Sequence, residues 1–258
     1  MELLRTEGIS KSYDTRMILR DISIHLEEGE LISLLGLSGS GKTTLLNILS
    51  GLACPDAGKV FLSGEDITGR PGHISYMLQK DLMLEHKRII DNVSLPLIIR
   101  GMKKPEARAK ADPYFPVFGL DGTQMLYPSQ LSGGMRQRAA LLRTYMGSQG
   151  IILLDEPFSA LDMITRSQLH EWYLQITEKM HLSSILITHD VDEAILLSDR
   201  ICLLTGSPGE IRHELRIDVP RTERMDFSLR PEFSEYKRHI REILLDAMKQ
   251  VSEGGQSK

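Results

Sequence analysis

At 258 residues, with 41% hydrophobic and 26% charged side chains, the chain has room for a sizeable core in one or two domains, which excludes a disordered or fibrous protein. Its 31 Lys+Arg against 35 Asp+Glu give a net charge of −4, without the basic excess that a phosphate backbone demands, so no nucleic-acid partner is expected. Its two cysteines, Cys54 and Cys202, form no Cys-x-x-Cys pair and no metal cluster.

The chain begins with Glu2, Arg5 and Glu7 among apolar residues, unlike the unbroken apolar stretch of a signal peptide. No apolar run approaches the ~20 residues of a membrane-spanning helix. Any membrane role is therefore expected to be played from outside the bilayer. From Asp21 to Leu26, Ile22, Ile24 and Leu26 alternate with Ser23 and His25, the period-two pattern of a half-buried strand in an antiparallel edge sheet. Leu31 to Leu35, Ile151 to Leu154 and Ser184 to Thr188 are almost wholly apolar, as parallel strands covered on both faces are, and they predict the central sheet.

The first of these strands runs into Gly36-Leu37-Ser38-Gly39-Ser40-Gly41-Lys42-Thr43, followed by Thr44 and a helical repeat of Leu45, Leu46, Ile48 and Leu49. Glycines spaced in this way let the backbone curl so that successive N–H groups converge on phosphate oxygens, and the helix N-terminus adds partial positive charge. Gly36, Ser38, Gly39, Ser40, Gly41, Lys42, Thr43 and Thr44 are thus the candidate phosphate contacts. Lys42 would reach the β and γ phosphates and Thr43 would offer its hydroxyl to Mg²⁺.

Between Asp81 and Met146 the texture becomes charged and punctuated by proline, with Met135, Ala139, Leu142 and Met146 on one helical face, so a helical insertion is expected over 81–146. Inside it, Leu131-Ser132-Gly133-Gly134-Met135-Arg136-Gln137-Arg138 opens that helix. Ser132, Gly133 and Gly134 form a second anion-binding helix end, which one chain with one nucleotide would not need and which makes sense if it faces a neighbour's nucleotide.

Ile151 to Leu154 ends in Asp155-Glu156-Pro157. A parallel strand delivers its last residues to the crevice at the carboxyl edge of the sheet, so Asp155 can hold Mg²⁺ and Glu156 can orient or deprotonate an attacking water. After Gly206, Ser207-Pro208-Gly209 and a polar stretch through Arg230 read as a linker or extended arm. From Pro231 onward, Phe233, Tyr236, Ile240, Ile243, Leu244, Met248 and Val251 recur at intervals of three and four, predicting an amphipathic helix that packs on its own domain.

In this order and spacing, the motifs resemble the nucleotide-binding subunits of ATP-binding-cassette (ABC) transporters, whose signature reads Leu-Ser-Gly-Gly-x-x-Gln, and the likeness runs from about Leu3 to Leu204. The resemblance implies an α/β phosphate-loop NTPase with a RecA-like core at 1–80 and 147–206 that carries an antiparallel β subdomain. It further implies an inserted helical subdomain at 81–146 and a C-terminal arm and helix at 207–258. It also implies that two copies, or one copy and a paralogous cassette, close head to tail around two ATP molecules with Mg²⁺.

On that resemblance Tyr13 stacks on adenine, and Gln79 touches Mg²⁺ and the attacking water. His189 contacts the γ phosphate, and Asp162, in Ser159-Ala160-Leu161-Asp162, crosses the dimer interface. A cassette without spans implies transmembrane permease subunits, a solute-binding protein and a peripheral place on the cytoplasmic face of the cell membrane. The run from Asp155 to Arg166 resembles the nitrate, sulfonate and taurine importers and the carriers of thiamine-precursor pyrimidines. The alternative is the motor of an exporter or lipoprotein-releasing complex. Leu84-Glu85-His86-Lys87-Arg88 departs from the Pro-Trp pattern of many relatives in the expected permease groove.

Overall fold

A computed structural model describes residues 1–254, with side chains through Lys249. Strands β1 (Glu2–Tyr13), β2 (Arg16–Ile22) and β3 (His25–Glu27) begin an antiparallel sheet, and β4 (Leu31–Leu35) enters the main sheet before helix α1 (Lys42–Leu49). Strands β5 (Ala57–Leu62) and β6 (Glu65–Asp66) complete the antiparallel sheet, and β7 (Ser75–Met77) precedes the insertion. Four short helices follow, α2 (Ile89–Val93), α3 (Leu95–Ile99), α4 (Lys104–Ala111) and α5 (Tyr114–Val117), then the long α6 (Gly133–Gly147). The chain returns through β8 (Ile151–Asp155), α7 (Met163–Lys179), β9 (Ser183–Thr188), α8 (Val191–Leu197) and β10 (Arg200–Thr205). It ends with β11 (Glu210–Arg216), α9 (Arg224–Phe227) and α10 (Pro231–Gly254).

The six-stranded sheet has the order β11-β10-β4-β9-β8-β7, parallel except for its β11 edge. Every residue of β4, β8, β9 and β10 is buried, which is why the first three read as nearly continuous apolar runs. One face packs on the helical insertion, where Phe115, Phe118, Ala139, Leu142 and Met146 meet Ile152, Leu154 and Leu186. The other packs α1 and the antiparallel sheet, joining Leu45, Leu46 and Leu49 to Ile32, Leu34 and Ile187. The α6 face expected from sequence is the one that is buried, with Met135 at its margin.

Two expectations change. Asp21 to Leu26 is not one strand: Asp21 has a φ of 49°, and the chain leaves β2 at Ile22 and resumes as β3 at His25. Thr6 Oγ1 accepts from Ile24 N at 2.9 Å and Ser23 Oγ accepts from Gly8 N at 2.9 Å, so side chains serve the backbone across the break. Ile22, Ile24 and Leu26 are all buried regardless, because the alternation reports side-chain facing and not ladder continuity.

The segment after Gly206 is not a free arm, since β11 pairs along β10 from Thr205↔Glu210 to Arg200↔Arg216. As an edge strand it buries little of its surface, which left the sequence looking like a linker. The C-terminal stripe does pack on its own chain: Phe233 and Ile240 are buried with Ala194, Ile195 and Phe227, and Tyr236, Ile243 and Leu244 lie at the margin. Met248 is about half exposed, and the side chain of Val251 falls outside the described residues.

Candidate functional site

The sheet order puts β9 between β4 and β8, so the loop after β4, the acids ending β8 and the histidine after β9 meet at one carboxyl edge. There they surround a cavity of about 580 Å³ lined by Tyr13, Ser38, Gly39, Gly41, Lys42, Thr43, Thr44, Asp155, Glu156 and His189, all expected from sequence. Arg16, Ile18 and Ile187 line it as well and were missed. Arg16 and Ile18 lie on β2, beyond the turn after Tyr13, and no sequence motif marks them.

The glycine loop has the shape that a phosphate cradle requires. Gly41, immediately before α1, has a φ of 98°, and a Cβ there would lie 2.6 Å from the Leu19 side chain, so neither conformation nor space admits another residue. Lys42 folds back over the loop and donates to the Gly36 and Leu37 carbonyls at 2.8 and 2.9 Å. Burial lowers its pKa, and Glu156 and Asp155 oppose that shift. Gly36 lies behind the cradle against the Leu204 carbonyl, and Ser40 Oγ is buried in the same loop with no hydrogen-bond partner among the described residues.

The cradle leans on the turn between β10 and β11. Gly209 donates to the Ile18 carbonyl at 2.8 Å and accepts from Arg20 N at 3.0 Å, and a Cβ on it would lie 2.1 Å from the Ser40 carbonyl oxygen. Since that obstacle is backbone, Gly209→Ala is expected to cost about 1–3 kcal/mol of stability. It should also blunt the thermal stabilisation that ATP confers. A full ATP-induced rise in Tm would show that the loop does not depend on this contact.

Asp155 and Glu156 are held separately. Asp155 Oδ2 accepts from Thr43 Oγ1 at 3.3 Å and from the Tyr76 hydroxyl at 3.1 Å. Burial pushes the Asp155 pKa up, and the two hydroxyls and Lys42 oppose that. Burial, with the adjacent carboxylate, also pushes the Tyr76 phenol well above its ordinary range, so it stays a donor. Glu156 has a φ of 45°, rare for a residue with a Cβ, and its N–H donates to the Ile187 carbonyl at 3.0 Å. Its Oε2 accepts from Gln79 Nε2 at 3.1 Å, and its Oε1 lies 3.0 Å from His189 Nδ1. Both carboxylate oxygens are thereby engaged, with Glu156 and His189 in the cavity wall.

Ser132, Gly133, Gly134 and Asp162 do not line this cavity. Ser132 is exposed and caps α6, accepting from Met135 N at 3.3 Å. Asp162 caps α7, accepting from Ile164 N and Thr165 N at 3.1 and 3.0 Å. These bonds hold its carboxyl below the usual range.

The donor set suits a nucleotide with a hard divalent cation: curled backbone and a lysine for phosphates, and a hydroxyl and a carboxylate oxygen 3.3 Å apart for the metal.

Comparison with known proteins agrees with this chemistry. Residues 19–159 match the family model described as ABC transporter. The chain is 40% identical over 252 residues to the formylaminopyrimidine import ATP-binding protein ThiZ of Halalkalibacterium halodurans, covering 95% of this chain and 97% of that one. It is 35% identical to the nitrate import ATP-binding protein NrtD of Synechocystis sp., covering 88% of this chain and 87% of that one.

An ATP-binding cassette solved as a dimer in a post-hydrolysis state with ADP and Pi superposes with a TM-score of 0.71 at 28% identity, covering 84% of this chain and all of that one. A second cassette, solved with ADP, shares the fold alone, with a TM-score of 0.75 at 23% identity over 92% of this chain and 98% of that one. The chain therefore belongs to the ABC transporter family, as one of its ATP-binding and ATP-hydrolysing phosphate-loop cassettes.

Proposed function

We propose that this cassette powers an importer, working as one of two subunits that close head to tail over two ATP molecules. The single observation that carries the dimer is the helix end at Ser132–Gly134, which is built to bind an anion yet lies apart from the chain's own phosphate cavity. Asp162, exposed at the head of α7, is proposed to face the same partner. Import is favoured by the named roles of ThiZ and NrtD over the exporter alternative. The solute belongs to the range these relatives carry, from small inorganic anions to thiamine-precursor pyrimidines.

In this reading the loop amides and α1 hold the phosphates, and Lys42 exchanges two loop carbonyls for β and γ phosphate oxygens. Tyr13 offers a ring to adenine. Thr43, Asp155 and Gln79 are the proposed holders of Mg²⁺, whose charge, when bound, neutralises the phosphate oxygens. Glu156 takes a proton from the attacking water, oriented by Gln79 and His189 on its two oxygens.

No helix among the described residues is long and apolar enough to cross a membrane. The spans belong on this reading to permease subunits, served by a solute-binding protein, with the cassette peripheral at the cytoplasmic face. Leu78 and Leu82 are exposed beside Glu85, which is latched to Arg136 at 2.8 Å, and this is the proposed permease groove.

Ser132→Arg is expected to lower steady-state ATPase by at least about 10²-fold, in line with the loss of a pre-organised electrostatic contact, while nucleotide affinity of the monomer is kept. Mixing Ser132→Arg with Glu156→Gln subunits should restore activity, because one site of each heterodimer then has intact halves from both chains. No recovery on mixing, with Ser132→Arg itself active, would end the shared-site reading.

A further inference from the structure

We infer that Tyr76 is a positioning residue for Asp155, its hydroxyl holding the carboxylate in the orientation in which the divalent cation meets it. The inference rests on the proposed role of Asp155 as a cation holder and extends it to a residue outside every motif of the sequence.

Tyr76 lies on β7, the strand at the edge of the sheet next to β8. Parallel pairing sets Tyr76 beside Leu153 and Met77 beside Leu154. The ring is half-buried at the margin of the core that contains Ile151 and Leu153, and the hydroxyl reaches Asp155 Oδ2 at 3.1 Å. Only Thr43 and Tyr76 donate to the Asp155 side chain among the described residues, and both go to Oδ2. Thr43 is itself a proposed cation ligand. Tyr76 is therefore the one donor whose hold on the carboxylate does not depend on the cation.

The same strand end also serves the neighbouring acid, because Gln79, three residues beyond Tyr76, donates to Glu156 Oε2 at 3.1 Å. Strand β7 and the residues just beyond it thus supply one contact to each of the two adjacent acids, Asp155 at the end of β8 and Glu156 after it. A hydroxyl that orients a metal-binding carboxylate acts on metal affinity and leaves nucleotide contacts alone, since outer partners of this kind fix the geometry and basicity of the ligand. A tyrosine that merely satisfied its own half-buried hydroxyl would not show that selectivity.

The test is the Mg²⁺ dependence of ADP binding, measured by calorimetry in EDTA and across a Mg²⁺ titration for wild type, Tyr76→Phe, Asp155→Asn and the double variant. Phe keeps the ring and its packing. In EDTA, Tyr76→Phe is expected to bind ADP within about twofold of wild type, while the Mg²⁺ concentration for half-maximal enhancement rises roughly 10-fold. In the Asp155→Asn background, adding Tyr76→Phe should shift the midpoint no further.

A midpoint unchanged by Tyr76→Phe but moved by Asp155→Asn overturns the role of Tyr76 and leaves that of Asp155 standing. An equal loss of ADP affinity with and without Mg²⁺ overturns it too, showing a structural role only. If Asp155→Asn itself leaves the midpoint in place, the cation reading of Asp155 is what has failed.

Discussion

A Glu156→Gln cassette should bind ATP with near-normal affinity and hydrolyse it about 10²- to 10⁴-fold more slowly, the range that general-base catalysis contributes. The proposed phosphate contacts come from the loop and α1, which the substitution does not touch. The amide is isosteric with the acid, and both contacts of residue 156 can survive it. Its oxygen can accept from Gln79 where Oε2 now does, at 3.1 Å. Its NH₂ can donate to His189 Nδ1, now 3.0 Å from Oε1, once the ring takes the tautomer with the proton on Nε2. What disappears is basicity. The unusual backbone at residue 156, with its φ of 45°, is held by the bond to the Ile187 carbonyl and by Ser159 Oγ donating to the Glu156 carbonyl at 3.0 Å, so the geometry should persist. Equilibrium ATP binding and single-turnover hydrolysis on one preparation separate the two effects. Turnover within a few-fold of wild type would remove Glu156 from its role.

The largest stability effect is expected at Arg224, in the segment that the sequence presents as a linker. Its side chain is only 1% exposed. The guanidinium donates to the Val219 carbonyl at 2.7 Å, to the Ile217 carbonyl at 3.3 Å, to the Ser198 carbonyl and to Asp199 Oδ1 at 3.2 Å. It therefore ties the end of β11 and the start of α9 to the turn after α8. Burial lowers its pKa and the carboxylate of Asp199 opposes this, as expected of a cation taken out of water and re-paired.

Removing such a group leaves buried carbonyls unpaired as well as a cavity, and Arg224→Ala should cost about 3–5 kcal/mol. Arg224→Lys should rescue little, because an ammonium cannot spread planar donors over several acceptors. Urea unfolding should show the midpoint fall with the slope unchanged. A loss below about 1 kcal/mol would mean that the network is dispensable.

Legibility followed distance along the chain. The phosphate loop, the acid pair and the α6 signature were readable because each is contiguous, and a few glycines, a helix start or a strand end dictate the local backbone. The same holds for the buried strands and the C-terminal stripe, where apolar spacing reports which side faces the core. β11 escaped notice because an edge strand satisfies its backbone on one side and needs little apolar surface.

By itself, then, the sequence determined the chemistry on offer: a glycine loop shaped to cradle phosphate, two adjacent acids, a second serine-glycine helix end and three nearly all-apolar strands for a sheet to carry them. Only the tertiary structure decided which groups meet. Tyr76 and Asp155 are 79 residues apart, and Arg200 and the His25 carbonyl are 175 apart, yet each pair is bonded. Neither residue of such a pair restricts the other's local conformation, so no spacing rule can join them. Strand order and register set those distances, and these follow from packing both faces of the sheet at once.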